Sequence, residues 1–267
     1  MEALPKRPVL GVDISTTNYR RIGAACQQWV EEQRRTANGP ARCIFACTVH
    51  SVMTAVLQPD FRAVLNSADV ATPDGVPLAW ALRSFGVRRQ PRVYGPNLML
   101  LLCGQAARCG HRVYLYGGHP DALAPLRRRL RGRYPRLVLA GAEAPPFRPL
   151  TPEEDTAAVE RIQTARADLV FVGLGAPKQE RWIAAHRDRL PGVVLVGVGA
   201  AFDFHAGRIP QAPGCMQRAG LEWLFRLLLE PARLWKRYLL LNPLFLALWA
   251  LQKAGLLRYR PANGTRL

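Results

Sequence analysis

Asp74 stands in Thr72-Pro73-Asp74-Gly75, directly after a short apolar stretch. Two readings fit this tetrapeptide. An x-Pro-Asp-Gly pattern is a turn signature, and Asp is a preferred cap for the helix that follows, where it is held as an anion and weakened as a base. A carboxylate at the carboxyl end of a strand is also well placed to accept the proton of an attacking hydroxyl. Further along, Phe171-Val-Gly-Leu-Gly175 and Val194-Leu-Val-Gly-Val-Gly199 are apolar runs that each stop at Gly-x-Gly. Such runs read as buried parallel strands, and the loops after them are where open α/β sheets bind ligands. Gly173, Gly175 and Gly199 let the backbone come close to a ligand, and the helix start behind Gly175 offers N–H donors to an anion. Lys178 and Gln179 fall in the first turn of that helix. Arg92, Arg226 and Arg233 are further candidate anion partners, although a solvated surface position is the ordinary fate of any one arginine here. A phosphate-bearing small molecule is the expected ligand.

Other chemistries lack their parts. The third glycine position of the dinucleotide fingerprint is Lys178 after the first run and Phe202 after the second, and no acidic residue closes a strand about 20 positions on. A nucleotide-cofactor oxidoreductase is therefore a rival without its signature, and no cofactor is expected. No Asp-x-Asp occurs, and Glu153-Glu154-Asp155 after Thr151-Pro152 reads as first-turn helix acids. His50, His111, His119, His186 and His205 show no ligand spacing, and the six cysteines form no Cys-x-x-Cys pair, so no metal site is expected. His50 and His205 stand out because both follow expected strand ends. A Gly-x-Ser-x-Gly elbow, a Walker loop and a kinase signature are absent.

The elements that must position these groups alternate. Strands are expected at Arg7–Ile14, Arg42–Cys47, a short run ending at Val70, Arg112–Tyr116 (closing on Gly117-Gly118), Leu137–Ala140, Asp168–Val172 and Val193–Val198. Helices are expected at Tyr19–Arg35 with a stop at Asn38-Gly-Pro, at Ser51–Leu57, after Pro59, up to Phe85, and at Pro96–Cys109, Pro120–Arg131, Glu153–Arg166 and Pro177–Leu190. This order predicts an α/β fold: a largely parallel sheet with helices on both faces over residues 1–212, as one domain or two packed lobes. The 267 residues and a hydrophobic content of 49% suffice for a full core.

The net charge of +18 is carried mostly by arginine and suits nucleic acid, an anionic membrane or an anionic substrate. A basic nucleic-acid binder would interleave aromatics with its arginines, and the α/β half does not. The N-terminus shows no signal peptide, so reduced thiols in a cytoplasm are expected. After Pro213 the pattern turns all-helical. Leu221, Leu224, Phe225, Leu228 and Leu229 form an apolar stripe, and Leu239–Leu251 is strongly apolar but interrupted by Asn242-Pro243. Basic residues and tryptophans around it suit a helix lying in a membrane interface, or a helical hairpin packed on the sheet domain or a partner subunit.

Six stretches occur in order: Ala68-Asp-Val-Ala-Thr-Pro-Asp-Gly-Val-Pro77, Arg92-Val-Tyr-Gly-Pro-Asn-Leu98, Tyr116-Gly-Gly118, Gly173-Leu-Gly-Ala-Pro-Lys-Gln-Glu180, Gly197-Val-Gly-Ala-Ala-Phe-Asp203 and Leu221-Glu-Trp-Leu-Phe-Arg226 with Glu230-Pro231. Together they resemble the WecG/TagA/CpsF family of bacterial glycosyltransferases. The resemblance implies a Rossmann-like core with a C-terminal helical appendage over 213–267. It implies an inverting, metal-independent transfer from a UDP-sugar donor to a lipid-diphosphate-linked saccharide acceptor, for a surface or exported polysaccharide. The enzyme would be peripheral on the inner face of the cytoplasmic membrane, with contact linked to a homo-oligomeric state. Asp74 matches the family's proposed general base, and Arg92 and Gln179 match substrate-binding positions. Arg226 and Arg233 match basic residues thought to close over the site and hold the diphosphate. Thr48 stands where the family commonly has Asn, and Asn97 where it frequently has Asp. With His50, Gly117, Gly118, Gly173, Gly175, Lys178, Gly199, Phe202 and Asp203, these complete the expected substrate-side set.

Overall fold

The computed structural model describes residues 4–36 and 39–259. The first three residues of the expected leader-free start and Asn38 of the expected helix stop lie outside the described residues. The chain opens with β1 (Lys6–Val9) and β2 (Val12–Ser15), paired antiparallel with Val9 opposite Val12. The single strand expected over Arg7–Ile14 is thus a hairpin. Leu10 and Gly11 both take positive φ, 50° and 83°, which gives the two-residue turn whose twist matches its strands.

Alternation then follows as α1 (Tyr19–Thr36), β3 (Arg42–Cys47), α2 (Val49–Leu57), α3 (Pro59–Asn66), β4 (Val70–Pro73), α4 (Val76–Ser84), α5 (Gly95–Cys109), β5 (Arg112–Gly117), α6 (Pro120–Arg133), β6 (Val138–Glu143), α7 (Pro152–Thr164), β7 (Leu169–Gly173), α8 (Lys178–His186), β8 (Val194–Gly197) and α9 (Ala201–Ala206). The six strands from β3 onward form one parallel sheet in the order β4-β3-β8-β7-β5-β6. Val70 opens β4 instead of ending a strand, because the ladder with β3 runs from Ile44↔Val70 to Cys47↔Pro73. Pro73 lacks a donor and is tolerated because β4 is an edge strand. The helix expected over Pro177–Leu190 is shorter. The chain turns after His186 so that the Arg187 carbonyl accepts from Ala41 N at 2.8 Å and its guanidinium reaches Asp69 at 2.9 Å.

Both faces of the sheet are covered, and strand side chains alternate between them. Phe45, Val170, Val172 and Leu195 share one core with Phe61, Leu65 and Tyr116, beneath α2, α3, α4, α7 and α8. Ile44, Phe171, Val194 and Val196 share the other with Ile22, Val30, Leu102, Leu126 and Phe202, beneath α1, α5, α6 and α9. The period of two follows from the pleat, and burial on both sides explains why the strands read as continuous apolar runs.

After Pro213 come α10 (Gly214–Arg218), α11 (Glu222–Leu229), α12 (Pro231–Trp235), a π-helical turn over Lys236–Leu240, and α13 (Leu241–Lys253). Asn242-Pro243 does not interrupt this helix. The wider turn falls where an α-turn would set the Leu239 carbonyl against the Pro243 ring. Phe245 of α13 is fully buried in the first core, a burial that stabilises the docking by roughly 2–3 kcal/mol. The Gln252 side chain accepts from Leu10 N at 2.9 Å and donates to Pro8 O at 3.0 Å, so the last helix is fastened to the opening hairpin.

Candidate active site

The carboxyl ends of β3, β4, β7 and β8 meet the C-terminal helices around a cavity of about 250 Å³. Asp74 leaves β4 with its own N–H still donating to Cys47 O at 2.9 Å, which continues the sheet pattern one residue past the strand. Its carboxylate is turned away from α4, whose N-cap is Gly75 with no side-chain cap bond. The expected capping of the following helix is therefore not what Asp74 does. Oδ2 accepts instead from Gly95 N, at the start of α5, at 2.9 Å, and Oδ1 lies 3.3 Å from Arg92 Nη2. A side chain at position 95 would place its Cβ 3.1 Å from Oδ2, so glycine permits this approach. Burial pushes the Asp74 carboxyl above the usual carboxylate range, against the pull of the Arg92 charge and the Gly95 amide.

Arg92 is shared. Its Nε donates to the Asp74 carbonyl, its guanidinium lies over the Tyr94 ring at 4.1 Å, and Nη1 is 2.8 Å from Glu222 Oε2 of α11. Burial opposes its charge, but Asp74 and Glu222 outweigh that and hold it protonated.

Thr48 caps α2 in a reciprocal box with Ser51, and its hydroxyl also accepts from Arg237 Nη2 at 3.2 Å. The π-helical turn that carries Arg237 lies across the mouth of this site, a common place for such turns. His50 lines the cavity with Nδ1 buried and unpartnered, and burial together with the Arg237 charge drives its pKa down to about 4. The imidazole beside the cavity is therefore neutral at neutral pH.

The two Gly-x-Gly loops differ in use along their length. Gly175 and Gly199 take positive φ, 76° and 56°, and both line the cavity. Gln179 also lines it and ties the loops together, since its Oε1 accepts from Gly199 N at 2.9 Å and its Nε2 donates to Glu180 Oε1 at 2.9 Å. Glu180 is fully buried, its Oε2 has no partner, and burial raises its carboxyl to about 7. Gly117, Gly118 and Gly173 lie outside the lining of this cavity. A Cβ at Gly118 or at Gly173 would stand 2.9 Å from Phe202 Cδ2, and one at Gly117 would stand 2.8 Å from the Gly173 carbonyl carbon. Gly118 and Gly173 make room for the Phe202 ring, and Gly117 lets β5 and β7 end close together.

The structure brings Thr48, His50, Asp74, Arg92, Gly175, Gln179, Gly199, Arg226 and Arg233 around one cavity. Lys178 and Asn97 are exposed outside its lining, Asp203 is paired with Arg208 at 3.3 Å, and Phe202 is buried behind it. His205 is also outside, bonded to Pro96 O at 2.9 Å. Arg226 lies over the Phe204 ring at 5.4 Å, and Arg233 pairs with Glu230 at 2.5 Å. Sequence reasoning missed Tyr94, Glu222, Trp223, Arg237, Tyr238 and Asn242, all of which line the cavity. Glu222 sat inside a recognised motif, yet no spacing in the chain announces that α11 folds back onto Arg92. Four arginines, Arg92, Arg226, Arg233 and Arg237, line the cavity with two carboxylates, Asp74 and Glu222; Arg92 pairs with both, and Arg226 and Arg233 pair with Glu230.

The model of the family described as "Glycosyl transferase WecG/TagA/CpsF family" matches residues 7–259. The chain is similar to the N-acetylglucosaminyldiphosphoundecaprenol N-acetyl-beta-D-mannosaminyltransferase of Bacillus subtilis, at 34% identity over 185 residues, 69% of this chain and 70% of the relative. The protein of the same name from Bacillus spizizenii matches to the same extent, 34% over 185 residues.

Proposed function

Because the chain belongs to the WecG/TagA/CpsF family of glycosyl transferases, we propose that it moves a hexosyl or N-acetylhexosaminyl group from a UDP-sugar to a polyprenyl-diphosphate-linked saccharide, with inversion and without a metal ion. The Bacillus relatives are named for an acceptor of this kind, a diphosphoundecaprenol carrying N-acetylglucosamine. Their names also specify a β-linked mannosaminyl transfer, and a β product from an α-linked nucleotide sugar requires inversion at C1.

The observation that carries the reading is Asp74, a buried carboxylate at the end of β4 in a cavity rimmed by four arginines. The acceptor hydroxyl oxygen attacks C1 of the donor sugar, and its proton passes to Asp74 Oδ1. The bond from C1 to the β-phosphate oxygen breaks, and its electron pair leaves with UDP. Arg226, Arg233 and Arg237 face the charge that develops on the diphosphate, which is worth most in a site with little water. Among the described residues no three His, Cys, Asp or Glu side chains gather into a metal-ligating group, and the arginines take the neutralising role.

Residues 1–212 act as the nucleotide-sugar part and 213–267 as the part that meets acceptor and membrane. Among the described residues no helix is long and apolar enough to cross a membrane. Leu228, Leu229, Trp235, Leu239, Leu240, Leu244 and Leu246 of that part are exposed nonetheless, which supports contact with the inner face of the cytoplasmic membrane, alone or as a homo-oligomer.

The test is a panel of UDP-hexoses and UDP-N-acetylhexosamines with a polyprenyl-diphosphate N-acetylglucosamine acceptor, with and without chelator. Inverted product at undiminished rate in chelator is expected for one donor. Asp74→Asn is expected to lower kcat by about 10²–10⁴-fold. Retained anomeric configuration, activity abolished by EDTA, or a near-normal Asp74→Asn enzyme contradicts the reading.

A further inference from the structure

Glu222 opens α11 and reaches back across the cavity to the α/β body. Its Oε2 lies 2.8 Å from Arg92 Nη1, whereas Asp74 Oδ1 is 3.3 Å from Nη2 of the same guanidinium. The side chains of Asp74 and Glu222 are 11% and 12% exposed, so two buried carboxylates compete for one cation: Glu222 lies nearer as an ion pair, and Asp74 Oδ1 accepts a hydrogen bond from it. The Tyr94 ring supports the guanidinium from below.

This arrangement matters for a base. A carboxylate matched one-to-one with a close guanidinium loses proton affinity, and a second nearby carboxylate restores it. We propose that Glu222 is a positioning residue that draws Arg92 away from Asp74 and keeps the Asp74 carboxylate basic enough to take the acceptor proton. The base is then complete only while α11 is seated on the α/β body, so proton transfer is coupled to docking of the C-terminal helices. The proposal rests on the reading of Asp74 as the general base.

The other groups facing Asp74 act in fixed directions. The Gly95 amide and Arg92 favour its anion, Glu222 disfavours it, and Tyr19 of α1, Tyr94, Cys47 of β3 and Arg237 of the π-helical turn complete its surroundings. Of these, Glu222 is the one carboxylate. Removing its charge must therefore let Arg92 close on Asp74 and lower the pKa of the base.

The experiment compares Glu222→Gln, Glu222→Asp and Asp74→Asn in the full chain by the pH dependence of kcat/KM, with thermal unfolding as a check on folding. In Glu222→Gln, the acid limb is expected to move down by about one pH unit. Its plateau kcat is expected to fall about tenfold while the donor KM changes less than about threefold. Glu222→Asp, which keeps the charge, should return the limb towards its original position. An unmoved acid limb in a folded Glu222→Gln enzyme overturns the proposal, whether or not activity falls. Asp74→Asn separates the two claims: if it stays active, the base assignment fails, and if it is dead while the Glu222→Gln limb is unmoved, only the positioning role fails.

Discussion

The Gln179 side chain accepts a hydrogen bond from the Gly199 amide at 2.9 Å, joining the loop after β7 to the loop after β8. One amide thereby fixes the spacing of two backbone turns that came from separate Gly-x-Gly runs. Gln179→Ala leaves that N–H without its partner and frees both loops. A lost buried hydrogen bond costs about 1–2 kcal/mol, so kcat/KM for the donor should fall about five- to thirtyfold. Steady-state kinetics with the preferred UDP-sugar check this, and an unchanged kcat/KM would show that the link does not shape the site.

Phe202 packs against Gly173 closely enough that an added methyl cannot fit without movement. A Cβ at position 173 would stand 2.9 Å from Phe202 Cδ2 and 3.0 Å from Cγ. Gly173→Ala is expected to destabilise the fold by about 1–3 kcal/mol through overpacking. The double variant Gly173→Ala/Phe202→Ala should lose less than the sum of the two single changes, since the ring atoms in conflict are gone. Urea unfolding of the four-member cycle measures the coupling, and strictly additive changes would refute the contact as the cause.

Glu180 supplies a stability prediction with a definite sign. Its carboxyl lies near 7 in the fold against an ordinary value of 4.5, so the folded state holds a proton that the unfolded state releases. Stability therefore falls as pH rises from about 4.5 through about 7 and levels off above, a loss on the order of 3 kcal/mol from this group. Glu180→Gln keeps an oxygen for Gln179 to donate to and cannot ionise. It should be more stable than the parent at pH 8, with a flatter melting-temperature profile between pH 5 and 8. A variant that tracks the parent across that range would show that the Glu180 carboxyl is ionised throughout.

The exposed leucines of the π-helical turn give the membrane reading its test. Leu239 and Leu240 are 53% and 56% exposed. Inserting such side chains into a bilayer interface is worth roughly 1–2 kcal/mol each, so Leu239→Glu/Leu240→Glu should weaken binding to phosphatidylglycerol vesicles more than about tenfold. Circular dichroism should be unchanged, because neither side chain is buried. Equal cosedimentation of variant and parent would remove these residues from the membrane contact.

Much of the α/β body was legible in the chain. Arg42–Cys47 has the boundaries of β3, and the paired Gly-x-Gly runs identify β7 and β8, because strands buried on both faces leave no polar position to blur them. The Leu10-Gly11 turn was not legible, since Leu at positive φ is an uncommon choice that only hairpin packing enforces. Asp74 shows the limit most plainly. Its tetrapeptide signals a turn and a cap, but its true partner is an amide 21 residues on, and no local rule reaches that far. The same holds for Glu222 and Arg237, whose places in the cavity depend on a fold-back of the tail and on a π-helical turn that the Asn242-Pro243 step announces only as a break. Phe202 is the converse case: a missing fingerprint glycine was visible, and the structure shows a buried ring there that packs on Gly118 and Gly173.

The bonds from Gln252 to Leu10 and Pro8 span 242 and 244 residues of sequence. During synthesis the hairpin is made before the helix that fastens it, by some tens of seconds at ~5–20 residues per second. Until then Val9, Val12 and Ile14 lack their final cover, and the cavity at the carboxyl ends of the strands lacks its far wall. The cavity is thus walled only after the chain has been made from β1 through α13, so its completion is a late event in folding.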